Sequence, residues 1–249
     1  GEVILDVAHL NAFDERGMRA LNDVSFQVRA GEIVGIAGVQ GNGQTELLEA
    51  IAGLRAMQSG RVLLASHDVG TRSVRERADL GLSHIPEDRH RRGLILDYSI
   101  ADNLILGRQH HFGSFGTLDA ARITAHAVEH MQRFDIRPAM PSLPARALSG
   151  GNQQKIVVAR EMGREFSVLL AAQPTRGVDV GAKFDIYATI RGLTAQGVGV
   201  VMVSSDLPEL IGLSDRIGIL QGGRLTQILP AEGLTEGALL ALCYEKEVA

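Results

Sequence analysis

A continuous apolar run, Ile33–Ala37, leads directly into the glycine-rich segment Gly38–Thr45. An apolar run of this kind bounded by glycines is typical of a strand buried in a parallel sheet. The next residues, Glu46–Ile51, are predicted to form a helix that ends near Gly53. A strand, a glycine loop and a helix in this order form the setting of a phosphate-binding loop, because glycines let backbone N–H groups converge on phosphate oxygens.

Two side chains decide what chemistry this loop could support. Thr45 occupies the position at which a hydroxyl would hold Mg²⁺. Gln44 occupies the position of the lysine that would neutralise the β- and γ-phosphates, and its amide can donate a hydrogen bond but carries no charge. A glycine-rich turn that binds no ligand is the alternative interpretation of this segment.

A second glycine-rich segment, Leu148–Lys155, opens an amphipathic helix. Ser149 is a candidate N-cap, and Gly150 and Gly151 leave the backbone N–H groups uncovered. Unsatisfied N–H groups and the helix dipole both favour an anion at such a position. An ordinary capped helix behind a glycine turn is the alternative interpretation.

Further apolar runs, Val168–Ala172 and Val198–Val203, alternate along the chain with predicted helices, which indicates a mainly parallel α/β sheet. Residues 3–9 are predicted to form an edge strand, and Val24–Val28 alternates as a half-buried strand does. Ile217–Leu229 is predicted to form a terminal hairpin.

Two regions rich in ionisable residues have unremarkable interpretations. The charged run Glu87–Gly93 is predicted to be a solvated loop. A helix predicted over Leu118–Phe134 carries His126 and His130 four residues apart, a spacing that could hold a metal. No third ligand is evident in the sequence, so this pair is predicted to lie on a solvated helix face.

Bulk composition limits the classes of function. The chain has 249 residues, a net charge of −4 and one cysteine, Cys243. The charge does not indicate a nucleic-acid partner, and the single cysteine excludes an intramolecular disulfide. No apolar run is long enough to predict a membrane-spanning helix. The sequence begins with Gly1 and no signal peptide follows, so we expect an excised or processed piece of a protein.

Three segments together resemble the motifs of the ATP-binding cassette (ABC) ATPase domain. Gly38–Thr45 resembles its Walker A loop, Leu148–Lys155 its signature, and Val168–Gln173 its Walker B strand. Gly177–Asp179 is similar to the D-loop, and Val203–Asp206 to the switch loop. The resemblance covers nearly the whole chain, and its motifs occur in the order and spacing of the family.

The details most resemble the second, C-terminal cassette of a fused sugar or nucleoside importer ATPase. Gly41–Leu47 and Ala171–Thr175 are most similar to the nucleoside type. The implied fold is α/β, of the P-loop ABC ATPase type, with a mainly parallel core sheet, an antiparallel β subdomain and a helical signature subdomain. Residues 1–249 would form one nucleotide-binding domain, with residues 1–85 and 165–249 as the core and β lobe and residues 86–164 as the helical subdomain.

The resemblance implies ATP and Mg²⁺ as cofactors, with Thr45 as the residue nearest the metal. The residues that it assigns to the nucleotide are Gly38, Gln40, Gly41, Asn42, Gly43, Gln44, Thr45 and Glu46. Glu87 matches the Q-loop glutamine, and Asp179 is the D-loop aspartate. Phe13 is the candidate for stacking on adenine.

This sequence departs from the family at the positions that carry hydrolysis. The Walker B acids, one supporting Mg²⁺ and one polarising water, are replaced by Ala172 and Gln173. The switch histidine is matched by Ser205, and the Walker A lysine by Gln44. Phosphoryl transfer depends on positioning and electrostatic stabilisation, so each of these replacements weakens catalysis.

The signature, in contrast, is intact. In the family two cassettes pair head to tail, and each signature covers the nucleotide that the other cassette holds. The resemblance therefore implies that Ser149, Gly150 and Gly151 act on the site of a partner cassette, the N-terminal half of a fused protein. ATP hydrolysis would belong to the two-cassette assembly, and this half alone would be inactive or very weak.

The implied assembly is an importer at the cytoplasmic side of the cell membrane. Its other partners would be transmembrane permease subunits and, indirectly, a solute-binding protein. In importers the region of Glu87–Arg92 lies near the groove that receives the permease. A regulatory or scaffold module that binds nucleotide without turnover is one alternative, and a plain α/β binding domain is another.

Overall fold

The computed structural model describes residues 1–114 and 116–244 of the chain. Its strands are β1 Val3–Phe13, β2 Arg19–Arg29, β3 Ile33–Ala37, β4 Met57–Leu64, β5 His67–Asp68, β6 Leu82–Ile85, β7 Gly113–Ser114, β8 Thr117–Leu118, β9 Val168–Ala172, β10 Gly199–Val203, β11 Arg216–Gln221 and β12 Arg224–Pro230. Its helices are α1 Gln44–Ala52, α2 Val74–Asp79, α3 Ile100–Leu104, α4 Ala120–Arg133, α5 Gly150–Met162, α6 Val180–Ala195, α7 Leu207–Leu213 and α8 Glu236–Tyr244. Shorter helical turns are Arg89–Gly93, Gln109–Phe112 and Ala145–Ala147.

A six-stranded sheet with the order β12-β11-β3-β10-β9-β6 forms the core. β10 pairs in parallel with β3 and β9, and β11 pairs in parallel with β3. Every residue of β3, β9 and β10 is buried, as a strand covered on both faces requires. The predicted parallel core is therefore confirmed, and β11 and β12 form the predicted antiparallel hairpin.

A separate antiparallel sheet has the order β2-β1-β4-β5. Its strand β2 buries Val24, Phe26 and Val28 at alternate positions, as predicted. The prediction that residues 3–9 form an edge strand is wrong, because β1 pairs with β2 on one side and with β4 on the other. The parallel core, the antiparallel sheet and the helices together confirm the α/β fold expected from the sequence.

The chain divides into two compact units. The first contains Gly1–His84, Phe166–Gln173 and Tyr187–Ala249, and the second contains Ile85–Glu165 and Pro174–Ile186. The second unit therefore includes a segment that the sequence-based boundary groups with the core. Hydrogen bonds give the physical reason, since the buried Gln154 Nε2 of α5 donates to the carbonyl oxygen of Pro174 at 3.0 Å.

The charged run that was expected to form a solvated loop contains the helical turn Arg89–Gly93. Asp88 caps this turn by accepting hydrogen bonds from the backbone N–H groups of His90 and Arg91, at 2.9 Å and 3.1 Å. The bond from Arg91 is the main cause that lowers the pKa of the Asp88 carboxyl. The exposed charges therefore stand on an ordered, capped turn rather than on an open loop.

The histidines of α4 do not form a solvated face, and this prediction is wrong. His130 is buried, and its Nδ1 and Nε2 lie 3.1 Å and 3.3 Å from the carbonyl oxygens of His126 and Gly163. The two imidazole rings also contact each other in a tilted arrangement, with centroids 3.9 Å apart and an interplanar angle of 41°. Helical spacing alone does not reveal the carbonyl of Gly163, at the end of α5, that satisfies the buried ring.

No cluster of three or more side chains of the kinds that ligate metals occurs among residues 1–114 and 116–244. The packing role of the histidine pair rests on the buried ring of His130 and on its contacts with His126 and Gly163. None of the helices in the same two ranges has the length and hydropathy that crossing a membrane requires.

Burial, followed by the nearby charges of His130 and Arg108, lowers the pKa of His126 from 6.5 to about 4. Glu129 opposes this shift, and Arg122 adds to it. Between these two pH values the folded state therefore binds fewer protons than the unfolded state. The resulting stabilisation is fully present above pH 6.5, the pKa of His126 in the unfolded state. It is lost as the pH falls through about 4, the pKa in the folded state.

We expect the substitution His126→Phe to weaken the loss of stability between pH 7 and pH 5. A phenyl ring keeps the tilted ring contact with His130 and cannot take up a proton. Denaturant unfolding midpoints at the two pH values measure the effect, and His67→Gln, at an exposed histidine, is the control. An unchanged pH dependence in His126→Phe would contradict the assignment.

Candidate functional site

The loop between β3 and α1 has the backbone geometry of an anion-binding turn. Gly38, Gly41 and Gly43 have positive φ angles of 157°, 90° and 108°. A Cβ at Gly38 or Gly43 would lie 2.3 Å or 2.6 Å from a backbone carbonyl oxygen, so a larger residue does not fit there. Gly43 is also the N-cap of α1 and offers no side chain to its first N–H groups. These groups and the positive end of the helix suit phosphate oxygens.

The turn between β11 and β12 holds this loop in place. Two backbone N–H groups of this turn donate hydrogen bonds to Asn42. The N–H of Gly222 donates to its Oδ1 at 3.2 Å, and the N–H of Gly223 donates to its carbonyl oxygen at 3.0 Å. Gln40 and Gly41 are exposed at the tip of the loop. Asn42 therefore attaches the loop to the β11–β12 turn, and the tip of the loop stays accessible.

The residue at the lysine position points into the loop's own structure. Gln44 is buried, with 8% of its surface exposed, and its Nε2 donates to the carbonyl oxygen of Val39 at 3.2 Å. It therefore supports the backbone of the loop and adds no charge. Thr45 is exposed and Glu46 is partly buried in the first turn of α1, and their predicted role beside a nucleotide stays a prediction.

The carboxyl ends of three neighbouring parallel strands bring further predicted residues to one edge of the sheet. Val203 of β10 pairs with Ile36 of β3 on one side and with Ala172 of β9 on the other. Gln173 and Ser205 leave the sheet at this edge, which is where ligands bind in parallel α/β folds. The edge is shared with the start of the glycine loop.

Gln173 and Ser205 contact each other directly. The backbone N–H and the Oγ of Ser205 each lie 3.1 Å from Oε1 of Gln173. Gln173 has a positive φ of 49°, and its own N–H donates to the carbonyl of Val203 at 2.8 Å. Because a backbone N–H can only donate, the amide oxygen must face Ser205 and the NH₂ group must face away. An amide donor therefore stands at the position that the sequence resemblance matches to a carboxylate.

Glu209, which the sequence analysis missed, anchors the residues around Ser205. Ser204 Oγ donates to the buried Glu209 carboxylate and accepts from the N–H of Asp206 at 3.1 Å. Asp206 in turn caps α7 by accepting from the N–H of Glu209 at 3.0 Å. The sequence shows that Glu209 follows Asp206 at the start of an apolar helix, but it does not show that Glu209 is buried.

The donor set at this edge suits phosphate oxygens and suits a protein-held Mg²⁺ poorly. Thr45 could offer a hydroxyl oxygen, but the neighbouring strand ends in the apolar, buried Ala172. Mg²⁺ prefers one or two carboxylates beside the phosphates. We therefore find that the residues fit a nucleotide and do not fit a metal that the protein itself would hold.

The second compact unit presents the first turn of α5. Ser149 is its N-cap, with φ −61° and ψ 156°, and its Oγ accepts from Asn152 through the backbone N–H at 3.4 Å and Nδ2 at 3.1 Å. Ser149 is exposed, and Gly150 and Gly151 are partly exposed. The predicted capped turn is therefore present, with its first backbone N–H groups near the surface.

The two glutamines that follow the glycines hold α5 in place. Gln153 Nε2 donates to the carbonyl oxygens of Ala145 and Leu148, both at 3.2 Å, and its Oε1 lies 2.7 Å from Nε2 of His90. Gln154 bonds to Pro174, as described above. Both side chains are buried, so they position the helix and do not face a ligand.

Three predicted residues remain: Glu87 and Asp179, which have structural contacts in the second unit, and Phe13, which lies in the first unit. Glu87 lies 3.4 Å from Arg176, as an ion pair. Asp179 Oδ1 accepts from the N–H of Ala182 at 2.9 Å, and this bond is the main cause that lowers the pKa of Asp179. Phe13, at the end of β1 in the first unit, is 39% exposed.

A family model described as "ABC transporter" matches residues 21–176 of the chain. The chain belongs to this family. The match includes the glycine loop, the first turn of α5 and the end of β9. As a member of a family of ATPases, this ABC domain is expected to receive ATP at its glycine loop.

Curated relatives of the ABC domain share about two fifths of its residues. A nucleoside import ATP-binding protein of Lactococcus lactis is 40% identical, over 96% of this chain and 47% of its own length. A ribose import ATP-binding protein of Corynebacterium glutamicum is 42% identical, over 99% of this chain and 46% of its own. A guanosine import ATP-binding protein of Bacillus subtilis is 38% identical, over 99% and 49%. The chain thus spans about half the length of these relatives.

Solved ABC structures share the fold of this domain. An ATP-binding cassette in a dimeric post-hydrolysis state with ADP and phosphate gives a TM-score of 0.78 at 22% identity, covering 92% of this chain and 100% of that one. A nucleotide-free cassette from an ABC transporter gives 0.78 at 18% identity, covering 99% and 97%. At these identities the similarity establishes the fold alone.

We expect Gln44→Lys to tighten ATP binding by this ABC domain about tenfold, because a lysine adds a charged donor for phosphate oxygens. Calorimetric titration with ATP measures the change. Gln40→Lys adds the same charge at the exposed tip of the loop and should have a smaller effect that salt screens. Equal affinities in the wild type and Gln44→Lys would contradict phosphate binding in this loop.

Proposed function

We propose that this chain is the nucleotide-binding half of an ABC importer ATPase for sugars or nucleosides. Its relatives from three bacteria are named as import ATP-binding proteins for nucleosides, ribose and guanosine. Each relative is about twice as long as the matched segment, so the proposal includes a second cassette as the N-terminal half of the same protein. Transmembrane permease subunits and, indirectly, a solute-binding protein complete the proposed assembly.

The observation that carries this proposal is the contrast between the two glycine-rich turns. The first turn of α5 keeps its cap and its uncovered backbone N–H groups at Ser149, Gly150 and Gly151. At the chain's own sheet edge, Ala172 and Gln173 stand in place of the two acids. We infer that the intact turn serves the nucleotide of the partner cassette, which in turn hydrolyses it.

The chain's own site would then bind ATP without turning it over. The glycine loop offers backbone N–H groups, and Gln173 offers an amide donor held in place by Ser205. Neither group can take a proton from an attacking water, which the carboxylate of the family does. Glu87 and Asp179 would remain at the Q-loop and D-loop positions, with the charged turn facing the permease at the cytoplasmic side of the membrane.

We expect this chain alone to show no ATP turnover above background, and Gln173→Glu to leave it inactive. A carboxylate at this position can still accept both hydrogen bonds from Ser205, so the substitution should fold. Gln44 and Ala172 would still leave phosphate charge and metal without support. A phosphate-release assay measures the rate, and turnover by either protein at the level of a competent cassette would contradict the degenerate site.

The decisive experiment is Gly150→Asp in the full two-cassette protein. We expect it to abolish ATP hydrolysis and solute uptake. A carboxylate at the first residue of α5 would occupy the anion position with its own negative charge, and it suits a helix N-terminus, so the fold should persist. Steady-state ATPase assays and uptake into vesicles measure the effect, with thermal melts as the folding check.

Gly192→Asp is the matched control, because Gly192 lies on the exposed surface of α6 and a Cβ there meets no atom within 4 Å. Its ATPase rate should equal that of the wild type. A folded Gly150→Asp protein with full ATPase activity would contradict the proposal. A regulatory or scaffold module would give that result, since it needs no signature.

A further inference from the structure

Arg89 differs from the other basic residues of the charged turn. Arg91 and Arg92 are exposed, whereas Arg89 is partly buried. Its Nε is fully buried and has no hydrogen-bond partner, and its Nη1 donates at 3.3 Å to the carbonyl oxygen of Arg176. Among residues 1–114 and 116–244, no carboxylate forms an ion pair with it. A guanidinium that is half enclosed and lacks a counter-charge needs a physical explanation.

Two glycines make room for this guanidinium. A Cβ at Gly150, the first residue of α5, would lie 2.7 Å from Nη2 of Arg89. A Cβ at Gly177 would lie 3.3 Å from Nη1. The planar group therefore lies against the backbone of the first turn of α5 and against the backbone of the turn 174–179.

The neighbours of Arg89 also connect the charged turn to these elements. His90 contacts Gln153 of α5 at 2.7 Å, and Glu87 contacts Arg176 of the turn 174–179 at 3.4 Å. Arg89 contacts both elements at once. A cation beside the positive end of a helix is unfavourable by its charge, so the fixing of these elements must come from the contacts of the guanidinium with the two backbones.

We propose that Arg89 is a positioning residue that fixes the first turn of α5 and the turn 174–179 relative to the charged turn 87–93. In the paired protein it thereby sets how the first turn of α5 is presented to the nucleotide of the partner cassette. The second statement rests on the function proposed above, and the first does not. Its guanidinium acts through the two backbones and need not touch the nucleotide.

The first test uses this chain alone, with Arg89→Ala and the matched control Arg91→Ala. Hydrogen exchange followed by mass spectrometry should show that the backbone amides of Gln153 and Ala182 exchange about tenfold faster in Arg89→Ala. The amide of Gln153 bonds to Ser149 at the start of α5, and the amide of Ala182, in the first turn of α6, bonds to Asp179 at the end of the turn 174–179. Arg91→Ala should exchange as the wild type does. Unchanged exchange in Arg89→Ala would overturn the proposal.

If Arg89→Ala does not fold, hydrogen exchange in Arg89→Lys tests the proposal instead. A lysine keeps the charge, but its single ammonium cannot lie flat against both glycines. The proposal expects faster exchange at the same two amides, with a melting temperature close to that of the wild type. Exchange at the wild-type rate in a folded Arg89→Lys would show that charge alone suffices and would overturn the proposal.

The second test measures ATP hydrolysis by the two-cassette protein. Misplacing a group by a fraction of an ångström lowers the rate more than the binding of substrate, so Arg89→Ala should lower kcat about tenfold or more and change KM less than twofold. Arg75→Ala, at an exposed arginine of α2 outside the charged turn, should change neither. A normal kcat in Arg89→Ala, where Gly150→Asp is inactive, would overturn the role of Arg89 and spare the proposed function. Full activity in Gly150→Asp would reject the proposed function, and hydrogen exchange would still decide on Arg89.

Discussion

The parallel pairing of β9, β10 and β3 is the constraint on which the site depends. Val203 pairs with Ala172 on one side and with Ile36 on the other, so the three strands end at one edge of the sheet. Backbone hydrogen bonds therefore bring the glycine loop, Gln173 and Ser205 together without help from any side chain of the site. The backbone pairing therefore determines where these residues lie, and their side chains determine what chemistry the site can perform.

This separation explains how the loop can have its shape without a charged side chain. Gly38 and Gly43 are required by contact, because a Cβ at either would meet a carbonyl oxygen. Gln44 fills the interior of the loop, and its side-chain amide is satisfied by the carbonyl oxygen of Val39. Ala172 is buried and apolar, which a strand end tolerates at no cost to packing.

Periodicity predicts the elements whose cause is local, and it fails where the cause is a distant partner. The core strands, α1 and the cap at Ser149 follow from apolar runs, glycines and a serine before a helix. His130 was misplaced because the carbonyl that satisfies it belongs to Gly163, which the helix pattern does not contain. The role of Gln153 and the contacts of Arg89 were likewise hidden, since each joins segments that are far apart in the sequence.

The two helix N-termini also differ in the charge that accompanies their backbone dipoles. At α1 the first turn contains the neutral Gln44 and the acidic Glu46 and no cation, so only N–H groups and the dipole attract an anion there. At α5 the guanidinium of Arg89 lies against Gly150, and it adds a full charge to the same kind of N–H cluster. A helix dipole contributes roughly 0.3–1 kcal/mol to an exposed anion, whereas a hydrogen bond to a charged group contributes about 1.5–3 kcal/mol. The first turn of α5 is therefore the more strongly electropositive of the two, although the glycine loop belongs to the better-known nucleotide motif.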